Sequence, residues 1–210
     1  LSYRGKVWQE TNRGGIMPIA FENVNFEKYI DHAINYPILF LKKDGKYHPP
    51  NGQTFNDFLN GNLSFLNGIK PNLKDFENHL GTIFTEVRVK QIIEFRSLDT
   101  CNFGCICNGP SFFTGLIYGS LDETYEIIKN WKKEEVMEAY LNAPKQGLNT
   151  LLNNKKLIDW GKIFLDLSKR GLEKRNELNK SEKNETIYLK HIEEIIKNKK
   201  TRAEMLIEQF

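Results

Sequence analysis

The sequence predicts an α+β fold in a single unit, with strands in its first part and helices in its last. Three observations predict it. The stretch Glu86–Arg96 alternates charged and apolar residues with period two, the spacing of a strand. Asp44-Gly45, flanked by lysines, is a two-residue hairpin signal. After residue 120, apolar residues recur at helical spacing in three stretches. No Gly/Ser/Pro-rich linker separates the mixed part, 1–119, from the helical part, 120–210, so one unit is expected.

In chain order, residues 1–25 carry Gly14-Gly15 and Pro18 without a sustained period, and read as loop with short strands. Phe26, Tyr29, Ile30 and Ala33 share one face of a short helix that Pro37 ends. Ile38–Leu41 reads as a buried strand entering the Asp44-Gly45 turn. A helix starts at Thr54 with Phe55, Phe58 and Leu59, and another after Asn72 with Leu73, Phe76 and Leu80 inward. Ser120-Leu121-Asp122-Glu123 has the form of a capping box, opening a helix with Leu121, Tyr125 and Ile128 on one side. Leu157, Trp160, Phe164 and Leu167 mark a second helix, and Leu189, Ile192 and Ile196 a third, across the polar connector Lys174–Glu185.

Composition bounds the function. With 40% apolar and 12% aromatic residues, the 210-residue chain can bury a substantial core. A net charge of +3 from 30 basic and 27 acidic residues gives a mixed surface, which argues for neither nucleic acid nor a membrane as partner. No apolar run approaches the roughly 20 residues of a membrane span. The chain starts at Leu1 with no secretory h-region and reads as a fragment or a processed product. Cys101, Cys105 and Cys107 are odd in number and clustered, which suits small inert thiols in a reducing compartment better than a disulfide framework. Their C-x-x-x-C-x-C spacing is not a zinc pattern, and a cytoplasmic protein is expected. None of the four histidines has a partner at metal or nucleophile spacing, and His79 is expected to be structural.

The stretch Glu86–Arg96 carries the functional argument. Even positions place Glu86, Arg88, Lys90, Ile92, Glu94 and Arg96 on one face; odd positions place Val87, Val89, Gln91, Ile93 and Phe95 on the other. A helix would leave the apolar residues on no common stripe. One reading is the solvated face of an antiparallel sheet with the odd positions as core. The other is the polar wall of a cleft, where carboxylates hold Mg²⁺ through hard oxygens and guanidinium groups grip phosphate or carboxylate.

The residues here resemble a known family. Thr82-Ile83-Phe84-Thr85-Glu86-Val87-Arg88-Val89-Lys90, followed by Ile93-Glu94-Phe95-Arg96-Ser97-Leu98-Asp99, is similar to the HLTTxFPEVRLKxYLExRGAD stretch of plant and proteobacterial glutamate–cysteine ligases. Leu1-Ser2-x-Arg4-x-x-x-Trp8 resembles LSxRxxxW, and Arg13-x-Gly15-x-x-Pro18 resembles RxGxxP. Phe26–Ala33 resembles FExYVDYA, and Thr54–Gly61 resembles TFRxFLAG. Cys107, Pro110, Phe112, Gly115, Leu116 and Tyr118 fit CALPAFWVGLLY, while Pro144-x-x-Gly147-Leu148-x-Thr150 fits PVTGLKT. The order and spacing of these matches, over nearly the whole chain, are what make the resemblance specific. Ile93-Glu94-Phe95-Arg96-Ser97-x-Asp99 also looks like the EFRxxD-type strand of glutamine synthetases.

The resemblance implies the carboxy-terminal part of one ligase catalytic domain over 1–210, built as a glutamine synthetase-like half-barrel with an antiparallel sheet. It implies ATP- and Mg²⁺-dependent joining of glutamate and cysteine, the first step of glutathione synthesis, through a γ-glutamyl phosphate. By carry-over, Glu94 and Glu86 are expected metal ligands, and Arg96 and Arg88 catalytic contacts to the phosphate. Arg4, Arg13, Arg88, Lys90 and Arg96 are expected substrate or nucleotide ligands, with Trp8 and Tyr118 shaping a pocket. Three departures stand against the family pattern. Asn102-Phe103-Gly104-Cys105 occupies the place of PWRR, Gln9–Asn12 that of an acidic DPD-like run, and Leu151–Asn154 that of an arginine after Thr150. The family's amino-terminal half, with its EHE-type acidic ligands, is not in this sequence, so the 210 residues alone are expected to be inactive and to leave an open sheet edge. A ligase with another amine acceptor, or a catalytically dead ligase-like binding domain, are the alternatives.

Overall fold

The computed structural model describes every residue except Asn12, Asp44, Asn67, Thr100 and Phe210. It is α+β, as expected. Two compact units form, Trp8–Ser97 and Leu1–Val7 with Leu98–Phe210. The described strands pair two by two, three pairs antiparallel and one parallel.

The first helix, α1, spans Tyr3–Gln9. In the unit Trp8–Ser97, β1 (Gly14–Gly15) precedes α2 (Phe26–Ile34). The Asn25 side chain accepts the Lys28 N–H to cap α2, which buries Tyr29 and Ala33 but leaves Phe26 outside. The expected strand Ile38–Leu41 does not form. Ile38 and Leu41 turn inward while Leu39 and Phe40 stay exposed, and pairing begins only with β2 (Leu41–Lys43) against β3 (Lys46–His48). Lys43 faces Lys46, so the chain reverses over two residues as predicted; Gly45 has φ +76°, and Asp44 lies outside the described residues.

Helix α3 (Phe55–Leu59) starts where expected, with Thr54 and Asp57 exchanging side-chain and backbone bonds. Asn72 and Asp75 do the same for α4 (Leu73–Leu80). Helix α4 turns Asp75 and His79 inward and leaves Leu73 exposed, contrary to the apolar pattern. Asp75 is stabilised there by Lys43 at 2.8 Å. Ile38, Leu41, Phe55, Phe58 and Leu63 form the core of this unit, each contributing about 1.5–3 kcal/mol if fully buried. β4 (Phe84–Thr85) pairs parallel with β1, and β5 (Val87–Val89) pairs antiparallel with β6 (Ile93–Phe95).

In the other unit, the Ser2 hydroxyl bonds Asp99 at 3.1 Å. α5 (Asn108–Thr114) runs into a π-helical turn, Gly115–Gly119, followed by α6 (Leu121–Ile128) and α7 (Lys133–Gln146). The hairpin β7 (Leu151–Leu152) and β8 (Lys155–Lys156) follows, then α8 (Leu157–Arg175), α9 (Lys190–Asn198) and α10 (Arg202–Ile207). The β7–β8 hairpin was not anticipated. Asn153 and Asn154 sit at φ +47° and +60°, the left-handed pair that a tight two-residue turn demands. Trp131, Trp160 and Phe164 pack edge-on and stacked, with the indole N–H of Trp160 donating to Leu152.

Two expectations fail in this unit. The Ser120–Glu123 capping box does not form: the Ser120 hydroxyl donates to the Leu167 carbonyl at 3.0 Å, and Glu123 pairs with Arg170 at 2.9 Å. The cysteines are not three inert thiols, because Cys101 and Cys105 form a disulfide and only Cys107 is free. Only three residues lie between the two, close enough for a loop to bring them together.

Gly115, Gly119, Ser168 and Gly171 make the closest helix packing in the unit. A Cβ built on Gly115 or Gly119 would collide with the backbone of Ser168 or Gly171.

Candidate functional site

The predicted strand Glu86–Arg96 is a hairpin. It folds back over Lys90-Gln91-Ile92, with Lys90 N–H donating to the Ile92 carbonyl at 2.9 Å. The register pairs Val87 with Phe95, Arg88 with Glu94 and Val89 with Ile93. Arg96 N–H donates to the Glu86 carbonyl at 2.8 Å and continues the ladder past β5. Opposed residues on this hairpin are even with even and odd with odd. The charged residues therefore still share one face, although the chain reverses.

Burial is inverted relative to expectation. Arg88, on the charged face, is buried, while Ile93 and Phe95, on the apolar face, are exposed. A guanidinium can be buried only if its donors are met. Arg88 meets this condition with Nε donating to Glu94 Oε2 at 2.6 Å and Nη2 to Oε1 at 3.2 Å. Nη1 donates to the carbonyls of Gly81 at 2.6 Å and Ile83 at 3.2 Å. The hydrogen bond from Arg88 holds the Glu94 carboxyl below its ordinary pKa, with Lys90 and Arg96 adding attraction and burial opposing. Glu94 is thus a carboxylate at neutral pH, with its side chain 29% exposed.

The surrounding groups fix this hairpin. The Tyr29 hydroxyl accepts the Val89 N–H at 2.9 Å, and burial raises the phenol's pKa. Arg13 donates to the Pro37 carbonyl at 2.9 Å and the Thr82 carbonyl at 3.0 Å, and lies over the Tyr36 ring. His79 Nε2 meets the Ala33 carbonyl at 2.8 Å, and the ring stacks on Phe55, a structural role as expected. Phe84 lies between Trp8 at 5.5 Å and the Arg96 guanidinium at 5.3 Å. Trp8 also covers Gly14, where a Cβ would fall 2.5 Å from the indole. These contacts account for the Trp8 and Gly14 positions as packing.

The hairpin therefore brings Glu86, Arg88, Lys90, Glu94 and Arg96 together, and Arg13 supports the strand beside it. Arg4 belongs to α1 in the other unit. Tyr118 is exposed beside the Arg175 guanidinium. The role of Tyr29 was missed by sequence reasoning, because an apolar-face tyrosine gives no sign of a strand N–H above it. Among the described residues no three His, Cys, Asp or Glu side chains converge to cage a metal. The donor set on the hairpin fits Mg²⁺ in its usual form, held by one or two carboxylates, phosphate oxygens and water. No helix of the described residues is long and apolar enough to cross a membrane.

Residues 1–209 match the sequence profile of glutamate–cysteine ligase family 2. A chloroplastic glutamate–cysteine ligase of Solanum lycopersicum is 36% identical over 215 residues, covering 100% of this chain and 40% of that protein. Those of Nicotiana tabacum and Arabidopsis thaliana are 35% and 34% identical, again covering 100% of this chain and 40% of theirs. The chain thus spans about two fifths of the length of these relatives. Their names overturn the expectation of a cytoplasmic protein, since each is a chloroplast enzyme.

Proposed function

The chain belongs to glutamate–cysteine ligase family 2, and we propose that the longer protein containing it joins the γ-carboxylate of L-glutamate to the amine of L-cysteine with ATP. The product, γ-glutamylcysteine, begins glutathione biosynthesis, and the names of the relatives support a plastid as the compartment. The observation that carries the reading is the family match over the whole chain, which includes the ionised Glu94 of the hairpin.

The chemistry requires charge control. A glutamate γ-carboxylate oxygen attacks the γ-phosphorus of ATP, giving γ-glutamyl phosphate and ADP. The cysteine amine then attacks the acyl carbon, a C–N bond replaces the C–O bond, inorganic phosphate leaves and the amine loses a proton. Bound Mg²⁺ would neutralise phosphate charge during the transfer. Glu94 and Glu86 are the carboxylates proposed to hold it, and Arg96 the cation facing the transferred phosphoryl group. Lys90 and Arg4 are proposed substrate or nucleotide contacts. Arg13, whose two terminal nitrogens donate to Pro37 and Thr82, is the weakest of the set. The half-barrel is proposed to be completed by strands that the longer relatives carry.

The test is an assay of the full-length protein with ATP, Mg²⁺, glutamate and cysteine. Equal amounts of ADP and γ-glutamylcysteine are expected, with turnover collapsing in Glu94→Gln while the fold is retained. ADP release with another amine but not with cysteine would instead identify a ligase of different acceptor. Asn102–Cys105, standing where the family has two arginines, favours keeping the catalytically dead alternative. Absence of ADP release with any amine would establish that alternative.

A further inference from the structure

We propose that Arg88 is a positioning residue, which fixes the Glu94 carboxylate in one orientation, and not a ligand for glutamate or ATP. The inference rests on the reading of Glu94 as a metal ligand. Three features of the geometry carry it.

First, the donors of Arg88 are largely spent. Of five guanidinium N–H groups, two reach the oxygens of Glu94 and two the carbonyls of Gly81 and Ile83. An incoming carboxylate or phosphate would have to displace Glu94 or strip those carbonyls, each leaving a buried polar group unmet. Second, the Arg88 side chain is 8% exposed, whereas the Glu94 side chain it holds is 29% exposed. Contact with solvent passes to the carboxylate. Third, the support is backbone already tied down: the Thr82 hydroxyl donates to the His79 carbonyl at 2.8 Å, and Arg13 donates to the Thr82 carbonyl at 3.0 Å. A carboxylate offers about four lone-pair sites. The side-on fork occupies two and leaves the outward pair for a cation. A lysine cannot reproduce this, since its ammonium is a point donor without a fork.

The experiment compares wild type, Arg88→Lys and Glu94→Gln in the full-length protein, measuring turnover against Mg²⁺ and against glutamate separately. Loss of an outer partner of a metal-binding carboxylate costs on the order of 10–100-fold in metal affinity or activity. Arg88→Lys should therefore raise the Mg²⁺ concentration for half-maximal rate by roughly tenfold or more. The glutamate KM should stay within about twofold, as for a residue outside substrate contact. An unchanged Mg²⁺ requirement, or a large rise in glutamate KM in its place, overturns the proposal. If Glu94→Gln leaves the metal requirement unchanged, the reading of Glu94 fails separately. A second measurement needs no variant. In the wild-type protein the Arg88 Nε–H resonance should keep its position when glutamate and ATP are added without metal, and movement with either substrate alone overturns the assignment.

Discussion

Arg88 and Glu94 face each other directly across the β5–β6 hairpin, joined by two N–H···O bonds of 2.6 and 3.2 Å. The pair is the central one of the hairpin's three, and the same guanidinium ties the hairpin to Gly81 and Ile83. It is therefore a structural joint as well as part of the candidate site.

Removing one side of this joint should cost more than removing the other. Arg88→Met leaves two carbonyls and a carboxylate without donors, and a loss of about 2–4 kcal/mol is expected. Glu94→Gln keeps an acceptor for the guanidinium, so the loss should be about 1–2 kcal/mol. Urea unfolding of both single variants and the double variant should give a coupling of about 1–3 kcal/mol. Additive losses would show that the two side chains stabilise the hairpin independently.

Tyr29→Phe removes the acceptor of the Val89 N–H while leaving the ring in place. Stability should fall by about 1–2 kcal/mol, since a strand N–H loses its partner under a buried ring. Hydrogen exchange at Val89 should accelerate more than at the residues of α3, which is the signature of a local rather than a global change.

Two glycines of α8 should respond with opposite signs. At Gly171 a Cβ would strike the Gly115 carbonyl, so Gly171→Ala should destabilise by about 1–3 kcal/mol. At Gly161 the nearest side-chain atom to a new Cβ is Ile196 Cδ1 at 3.6 Å, an ordinary contact. Gly161→Ala should therefore stabilise by up to about 1 kcal/mol through helix propensity. Thermal melts of the two variants beside wild type check the pair. A matching sign would remove the packing argument.

Stability should fall as the pH is lowered through the histidine range. Burial, followed by the nearby Arg13 charge, lowers the His79 pKa, while its bond to Ala33 opposes. Burial lowers that of His32 as well. Below the unfolded value of about 6.5 the unfolded chain takes up protons that the folded chain refuses. The stability contributed by neutral His79 is complete above about 6.5 and is lost as pH falls toward its depressed folded pKa. Urea midpoints at pH 7.5 and 5.5 should differ, and His79→Gln should flatten that difference. Glu94, whose pKa is also depressed, adds a similar loss only below its unfolded value of about 4.3.

What the sequence determined by itself was local. The starts of α3 at Thr54 and of α4 at Asn72 were legible because a capping side chain and its helix lie within four residues. The 41–48 hairpin was legible from its turn, and the face of α8 in part from its 3.6-residue period. Trp160 and Leu167 are buried and Leu157 and Phe164 half-buried, while Ile158 and Leu165 were not anticipated. Even the shared face of Glu86–Arg96 survived, because the register keeps parity across the reversal. The reversal itself was hidden, since Lys90-Gln91-Ile92 contains no Gly, Pro or Asn to mark a turn. Only the tertiary structure decided which face is buried. Arg88 goes inside because Gly81, Ile83 and Glu94 converge on its donors, the first two from the segment just before β5 and the third from the opposite strand. Likewise Ser120 turns from its own helix to Leu167, and Gly119 meets Gly171, through contacts about fifty residues apart. Propensity is written in neighbouring residues, but the free energy of burying a charge depends on what the fold brings to it.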